Sequence, residues 1–231
     1  VSNVINFFWS GDNWTFLHDL TIKSHIIVGH IPVIWLHGAP PKSKYWNARL
    51  YGVTKDADDI INISQFIEDG GNFKTASSLW RFTFLYKYGG WYSDTDAIAM
   101  KEWPDQEWVI CGEEPGILST GVIRVPPGQE MFLDMIDNIK HVWGNVDIFN
   151  DYYLQHHGNK DETIDSLLFY PLKWREWRYL LSIMDVPDTY SVHLYHTMFE
   201  KGGMINDIEG LLWRNRETML SKIWSTIQLK I

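Results

Sequence analysis

Tyr88-Gly89-Gly90-Trp91-Tyr92-Ser93-Asp94-Thr95-Asp96 is the stretch on which the reading of this chain turns. It follows a run, Lys74 to Tyr88, in which Ala76, Leu79, Trp80, Phe82, Phe84, Leu85 and Tyr86 would cover nearly the whole circumference of a helix. A helix that is apolar all round is a buried one. Gly89 or Gly90 supplies the left-handed residue that ends it. The chain beyond, Trp91 to Ala97, reads as a strand or strand end. Residues two apart on extended chain point to the same side, so Asp94 and Asp96 face one ligand together. Two facing carboxylates repel unless a cation lies between them. Hard oxygen ligands suit Mg²⁺ or Mn²⁺, with diphosphate oxygens completing the octahedron.

Arg81 is a charge on this otherwise buried helix, and a buried guanidinium needs an anionic partner. That partner is either any nearby carboxylate, in a plain salt bridge, or Asp94 and a bound sugar diphosphate. Ser78, three residues earlier, shares the same helix face.

Working outward, Val4 to Trp9 reads as a buried strand and Ser10-Gly11-Asp12-Asn13 as a turn able to cap a helix. Leu17, Leu20, Ser24 and Ile27 recur at helical spacing as far as Gly29, and Ile31 to Leu36 reads as a second strand. This strand–helix–strand opening favours a parallel α/β sheet. Pro40 to Ser43 is a loop, and Asp56 to Asp59 a solvated acidic segment. Glu107 to Cys111 and Gly121 to Val125 read as strands, Gly128 to Val142 and Leu211 to Ile227 as helices. Glu113 and Glu114 read as a solvated acidic turn, and His156-His157 as a loop or surface feature.

The 231 residues fit a single domain, and the 45% hydrophobic content supplies a core. A net charge of −9 with no basic run argues against a nucleic-acid partner. The 13 Trp residues offer plates for sugar faces or nucleobases, although most are expected in the core. A single cysteine, Cys111, allows no intrachain disulfide and suits a reducing compartment. No basic leader precedes the first apolar residues, and the longest apolar stretch, Ile26 to Leu36, is interrupted by Gly29, His30 and Pro32. The expectation is a cytoplasmic protein with no membrane span.

Ala76-Ser77-Ser78-Leu79-Trp80-Arg81-Phe82, continued through Tyr86-Lys87-Tyr88 into the opening segment, resembles the signature of the DXD-motif sugar transferases. That family includes initiating mannosyltransferases, capsular sugar transferases and the glucosylating domains of clostridial toxins. Asn6-Phe7-Phe8-Trp9-Ser10-Gly11 resembles its first strand. The resemblance implies a GT-A-like α/β fold, a Rossmann-type mixed sheet flanked by helices. Residues 1–125 would form the nucleotide-sugar-binding half, and 126–231 the acceptor-side half and C-terminal helix. It also implies a bound Mn²⁺ or Mg²⁺, a UDP- or GDP-linked donor, a glycan, glycolipid or protein acceptor as in polysaccharide biosynthesis, and retention of anomeric configuration. By that carry-over Trp9 stacks on the base, with Phe8, Ser10, Gly11, Ser78 and Tyr92 also in the donor site. Arg81 binds donor sugar or phosphate, Asp94 contacts ribose and sugar, and Asp96 ligates the metal, so that Arg81, Asp94 and Asp96 carry catalysis.

Ser78 departs from the family, which usually has Asp there to bond donor-sugar hydroxyls. Ser119 or Thr120 stands where relatives often carry Asn. Val192 to Phe199 resembles the family's C-terminal His-x5-Trp segment, with Phe199 in the Trp position. This implies that His193 completes the metal shell with Asp94 and Asp96, with His196 as the alternative register. Two other readings of the chain are a non-catalytic nucleotide-sugar-binding protein on the same scaffold and, with a poorer fit, a haloacid dehalogenase-like phosphatase.

Overall fold

In the computed structural model, which describes residues 3–114, 116–139, 145–158 and 163–230, five strands form one central sheet. They are β1 (Val4–Ser10), β2 (Ile31–His37), β3 (Val53–Asp56), β4 (Gly90–Ser93) and β8 (Val122–Val125), in spatial order β3-β2-β1-β4-β8. The first four run parallel, and β8 closes the edge antiparallel to β4, pairing Gly90 with Val125 and Ser93 with Val122. The sheet is therefore mixed, as expected.

β1 is covered on both faces, which is why it reads as an apolar run interrupted only by the buried Asn6. Ile5 and Phe7 pack with Ile22, Ile34 and Leu36 on one face. Phe8 packs with Val33, Trp35 and Trp80 on the other. Helix α1 (Phe16–Ile27) returns the chain from β1 to β2. It ends at Ile27, two residues short of Gly29, with Val28 as its C-cap.

α2 (Ala48–Tyr51) and α3 (Ile63–Glu68) lead into α4 (Phe73–Tyr88), the buried helix, which starts where the Asn72 side chain accepts the Thr75 N–H at 3.0 Å. Every residue from Ser78 to Leu85 is buried. Gly89 ends the helix at φ 60°, where a side chain would also meet the Pro127 backbone at 2.5 Å. α5 (Glu130–Asn138) and α6 (Asn145–His157) complete this layer.

Several boundaries differ from the sequence reading. The acidic segment opens on a strand, β3, whose four residues are all exposed. It carries no apolar pattern and owes its extension to the ladder with β2. The strand expected over Trp91 to Ala97 is two strands. β4 ends at Ser93, and β5 (Ala97–Ala99) pairs elsewhere, antiparallel to β9 (Ser191–His193). Of the strand expected at Glu107 to Cys111 only a Val109–Arg124 bridge forms. The extended chain lies further on, as β6 (Gly112–Glu114) paired with β7 (Ile117–Leu118), so Glu113 and Glu114 sit in a strand and not in a solvated turn. His156 and His157 are exposed surface residues, as one of the two readings had it, and they end α6 instead of lying in a loop. The final helix is two, because Asn215 breaks it. α8 (Ile208–Arg214) stops there, and α9 (Met219–Gln228) restarts with the Thr218 hydroxyl accepting the Ser221 N–H. The helix expected from Gly128 begins at Glu130, and Val142 lies outside the described residues.

α9 and the short α7 (His196–Lys201) join α8 in a third apolar cluster against Phe16, Leu17 and Leu20 of α1. Among the described residues, no helix is long and apolar enough to cross a membrane.

Candidate active site

The strand order reverses direction between β1 and β4, since α1 carries the chain to one side of β1 and the later strands fall on the other. In open parallel sheets the crevice at the carboxyl ends of the strands flanking such a switch point is where ligands bind. Here those ends are Trp9-Ser10 and Ser93-Asp94, and a cavity of about 640 Å³ opens above them. Its walls include Phe8, Trp9, Ser10, Ser78, Arg81, Tyr92, Asp94 and Asp96. Residues picked from three separate segments of the sequence thus surround one space.

Asp94 is held from behind. Arg81 Nη2 donates to its Oδ1 at 2.8 Å and the Tyr92 hydroxyl donates to the same oxygen at 2.7 Å. The Asp94 backbone N–H donates to Gly121 O at 2.6 Å. Arg81 Nη1 reaches the Thr120 hydroxyl and its plane lies 4.5 Å from the Tyr92 ring centroid. Burial disfavours the Arg81 charge, but Asp94 and Tyr92 outweigh it and the guanidinium is held charged more firmly than usual. Burial likewise pushes the Asp94 carboxyl up, against the pull of Arg81, and nearby Asp96 pushes in the same direction as burial. Protein encloses Asp94 on all sides but the cavity, through which 31% of its side chain stays exposed.

Asp96 is reached from the C-terminal part of the chain. Its carbonyl accepts the Leu194 N–H at 2.7 Å and its Oδ2 the His196 N–H at 2.9 Å. His193 Nε2 lies 3.3 Å from Asp96 Oδ1. Tyr195, between the two histidines, is the single described non-glycine residue at positive φ, 55°. Such a conformation is rare for a bulky side chain and is tolerated where surrounding structure enforces it. Here the Tyr195 hydroxyl is anchored on Leu172 O, and the reversal turns the His193 ring and the His196 N–H onto one carboxylate.

Asp94, Asp96 and His193 each present one ligand atom within 4.8 Å of the others. His193 Nε2 is buried with no hydrogen bond made to it. Two carboxylate oxygens and an orphaned imidazole nitrogen fit Mn²⁺ or Mg²⁺. Burial opposes charge on His193, but Asp96, Glu113 and Asp94 together raise its pKa above the ordinary value. The alternative, His196, has its ring committed elsewhere: Nε2 is 3.1 Å from the Thr15 hydroxyl and the ring stacks on His18.

Trp9 lines the cavity with its indole N–H fixed on Gly11 O at 2.8 Å, and Gly11 itself lies outside the lining. Ser78 turns its hydroxyl back to Lys74 O at 3.3 Å. His18, Lys74, Asn13 and Glu200 also line the space, and sequence reasoning assigned none of them to the site. Isolated polar residues on loops and helix faces carry no local pattern that marks them. Gly121 is a further omission. A Cβ there would stand 3.0 Å from both Asp94 Oδ2 and the Tyr170 hydroxyl. Glu113 accepts from the Ser119 hydroxyl at 3.2 Å, and burial raises its pKa, with His193 pulling the other way.

Residues 43–111 match the family described as "Glycosyltransferase sugar-binding region containing DXD motif". Over that segment the chain is similar to the DXD-motif glycosyltransferases. A curated relative from Homo sapiens, "Alpha-1,4-N-acetylglucosaminyltransferase", is 23% identical over 145 residues, which is 53% of this chain and 42% of that protein. The chain thus spans less than half the length of that relative. A solved glycosyltransferase structure titled "PaToxG Glycosyltransferase" aligns with a TM-score of 0.50 at 17% identity, covering 68% of this chain and 69% of that one. The shared fold is the GT-A-type mixed sheet flanked by helices.

Proposed function

We propose that this chain transfers a sugar from a UDP- or GDP-linked donor to a carbohydrate or glycoconjugate acceptor, with Mn²⁺ or Mg²⁺ and with retention at the anomeric carbon. The observation that carries the reading is the convergence of Asp94, Asp96 and His193 at the switch-point end of the sheet. The three residues would hold the cation, which when bound supplies Lewis-acid stabilisation to the departing diphosphate. Arg81 and Tyr92 orient Asp94 by occupying Oδ1, which leaves Oδ2 for the ligand. Trp9 and Phe8 offer the base an apolar wall at the opposite side of the cavity. The leaving phosphate takes the acceptor proton in a front-face displacement, so no protein base is required. The N-terminal half, 1–125, supplies most of the donor site, while 126–231 adds His193 to it and builds the acceptor side.

The test is a thermal-shift panel of UDP- and GDP-sugars, with UDP-N-acetylglucosamine included, each with and without Mn²⁺, on the wild type and Asp96→Asn. A ligand selective for the native state raises Tm. The expected result is a shift with one donor that requires both Mn²⁺ and Asp96, followed by product release with an acceptor library. No shift with any donor on folded protein refutes the donor site.

A second reading is favoured by Ser78, whose hydroxyl is turned away onto its own helix where the family has an acid. It is donor binding without transfer. Donor-dependent Tm shifts, with neither transfer nor slow donor hydrolysis, would select it. Turnover of a generic aryl phosphate would instead point to phosphatase chemistry.

A further inference from the structure

Phe16, Asp19 and Lys23 share the face of α1 opposite His18, the residue that lines the Asp94–Asp96 cavity. Against that other face lies a second cleft of about 330 Å³, closed on its far side by α8 and α9. We propose that it is a separate carbohydrate-binding site, one that takes a neutral hexose unit of a glycan rather than the reacting donor.

Its walls have the chemistry of a sugar site. Tyr45, Trp213 and Trp224 give flat apolar surface, which suits the C–H face of a pyranose. Trp213 keeps 57% of its surface exposed, so a ligand can reach it. The plate is nonetheless fixed. The Arg216 guanidinium stacks 3.5 Å from its centroid, and Trp224 meets it at 84° with centroids 5.4 Å apart. A rigid aromatic loses little entropy on binding.

The polar groups select against charge. Lys23 is paired with Asp19 at 2.7 Å. Lys44 lies 4.6 Å over the Tyr45 ring, and the Tyr45 hydroxyl donates to Glu209 Oε2 at 2.8 Å. Two cations and two carboxylates cancel, which leaves no surplus for an anionic ligand. The amides of Asn47 and Gln228 and the carboxylate of Glu209 supply the mixed donors and acceptors that hydroxyls require. The volume suits one or two sugar rings.

This proposal does not rest on the transfer reading, and its test keeps the two apart. Cellobiose, lactose, chitobiose, α-1,2-mannobiose and, as the anionic arm, glucuronate are titrated against the full chain. Saturation-transfer NMR and tryptophan fluorescence are the readouts, without donor or metal. At least one disaccharide is expected to bind, with affinity about tenfold weaker in Trp213→Ala and unchanged in Asp96→Asn. Gln228→Trp, which plugs the cleft from an exposed rim position, is expected to abolish binding even if Trp213→Ala fails to fold. Absence of binding by every disaccharide at about 20 mM overturns the site. So does binding indifferent to Trp213→Ala and Gln228→Trp, binding lost in Asp96→Asn, or a response to glucuronate alone. A chain that binds no nucleotide sugar but still binds a disaccharide here would refute the transfer reading and leave this one standing.

Discussion

Behind the Asp-x-Asp segment runs a chain of buried imidazoles whose hydrogen bonds fix their tautomers, and it makes the fold sensitive to mild acid. The Trp103 N–H donates to His30 Nε2 at 3.0 Å, so His30 carries its proton on Nδ1. That proton faces His25 Nδ1 at 2.9 Å, and His25 Nε2 is left to donate to Ala97 O at 3.1 Å. Both rings are neutral in this arrangement, and a second proton on either has no acceptor. Burial lowers His30 from 6.5 to about 4 and lowers His25 in the same direction, with His30 adding to the push. The unfolded chain therefore binds protons that the native state refuses. His30's contribution is fully present above pH 6.5 and is lost as pH falls from there toward 4. At about 1.4 kcal/mol per pH unit, that displacement makes His30 alone cost about 2 kcal/mol of stability between pH 8 and pH 5, against a total that is typically ~5–15 kcal/mol. Urea unfolding of the wild type and His30→Gln at pH 8, 7, 6 and 5 measures it. The variant's curve should be flatter by about 2 kcal/mol over that range. Equal pH slopes in the two proteins, or a wild type whose stability is level down to pH 5, would refute the reasoning.

Other outcomes follow from the same geometry. Gly121→Ala puts a methyl 3.0 Å from Asp94 Oδ2 and Tyr170 Oη; Mn²⁺ affinity, read by calorimetry, should drop about tenfold, the scale of a disturbed ligand environment, while urea stability changes little. Arg81→Met leaves Asp94 without its buried cation and should cost about 3–5 kcal/mol in urea unfolding; a neutral result would mean that the pair is structurally dispensable. Asn72→Ala removes the α4 cap and should cost ~1 kcal/mol without altering donor binding.

How far the fold was legible depended on whether a segment's conformation is set locally. β1, α1, β2 and α4 were readable because each buries a periodic apolar face of its own. β3 was not, since Val53 to Asp56 are all exposed and take their shape from a neighbour. The break between β4 and β5 was hidden because Trp91 to Ala97 is apolar at both ends, and the turn at Asp94 to Asp96 is imposed by Gly121 and Leu194. In the site, Asp94, Asp96 and Arg81 announced themselves by charge beside apolar runs. His193 was visible only through likeness to relatives. Glu113 was misread because nothing near it in sequence reveals that β6 carries it toward His193. Gly121 is invisible to any local rule, since its reason is a contact with a residue 27 positions away.

The ribbon of β5 and β9 joins residues 97–99 to 191–193, and this sets a timetable for the chain as it is made. When the two carboxylates leave the ribosome, Arg81 has already been made and can pair with Asp94, but the groups that hold Asp96 have not. His193 and the backbone amides that clasp Asp96 emerge almost a hundred residues later. A nascent chain halted before Ser191 would thus hold a sheet but no finished cation cradle. The group of Asp94, Asp96 and His193 is therefore assembled by a contact between distant segments, made only after residues 191–196 have joined 96–99.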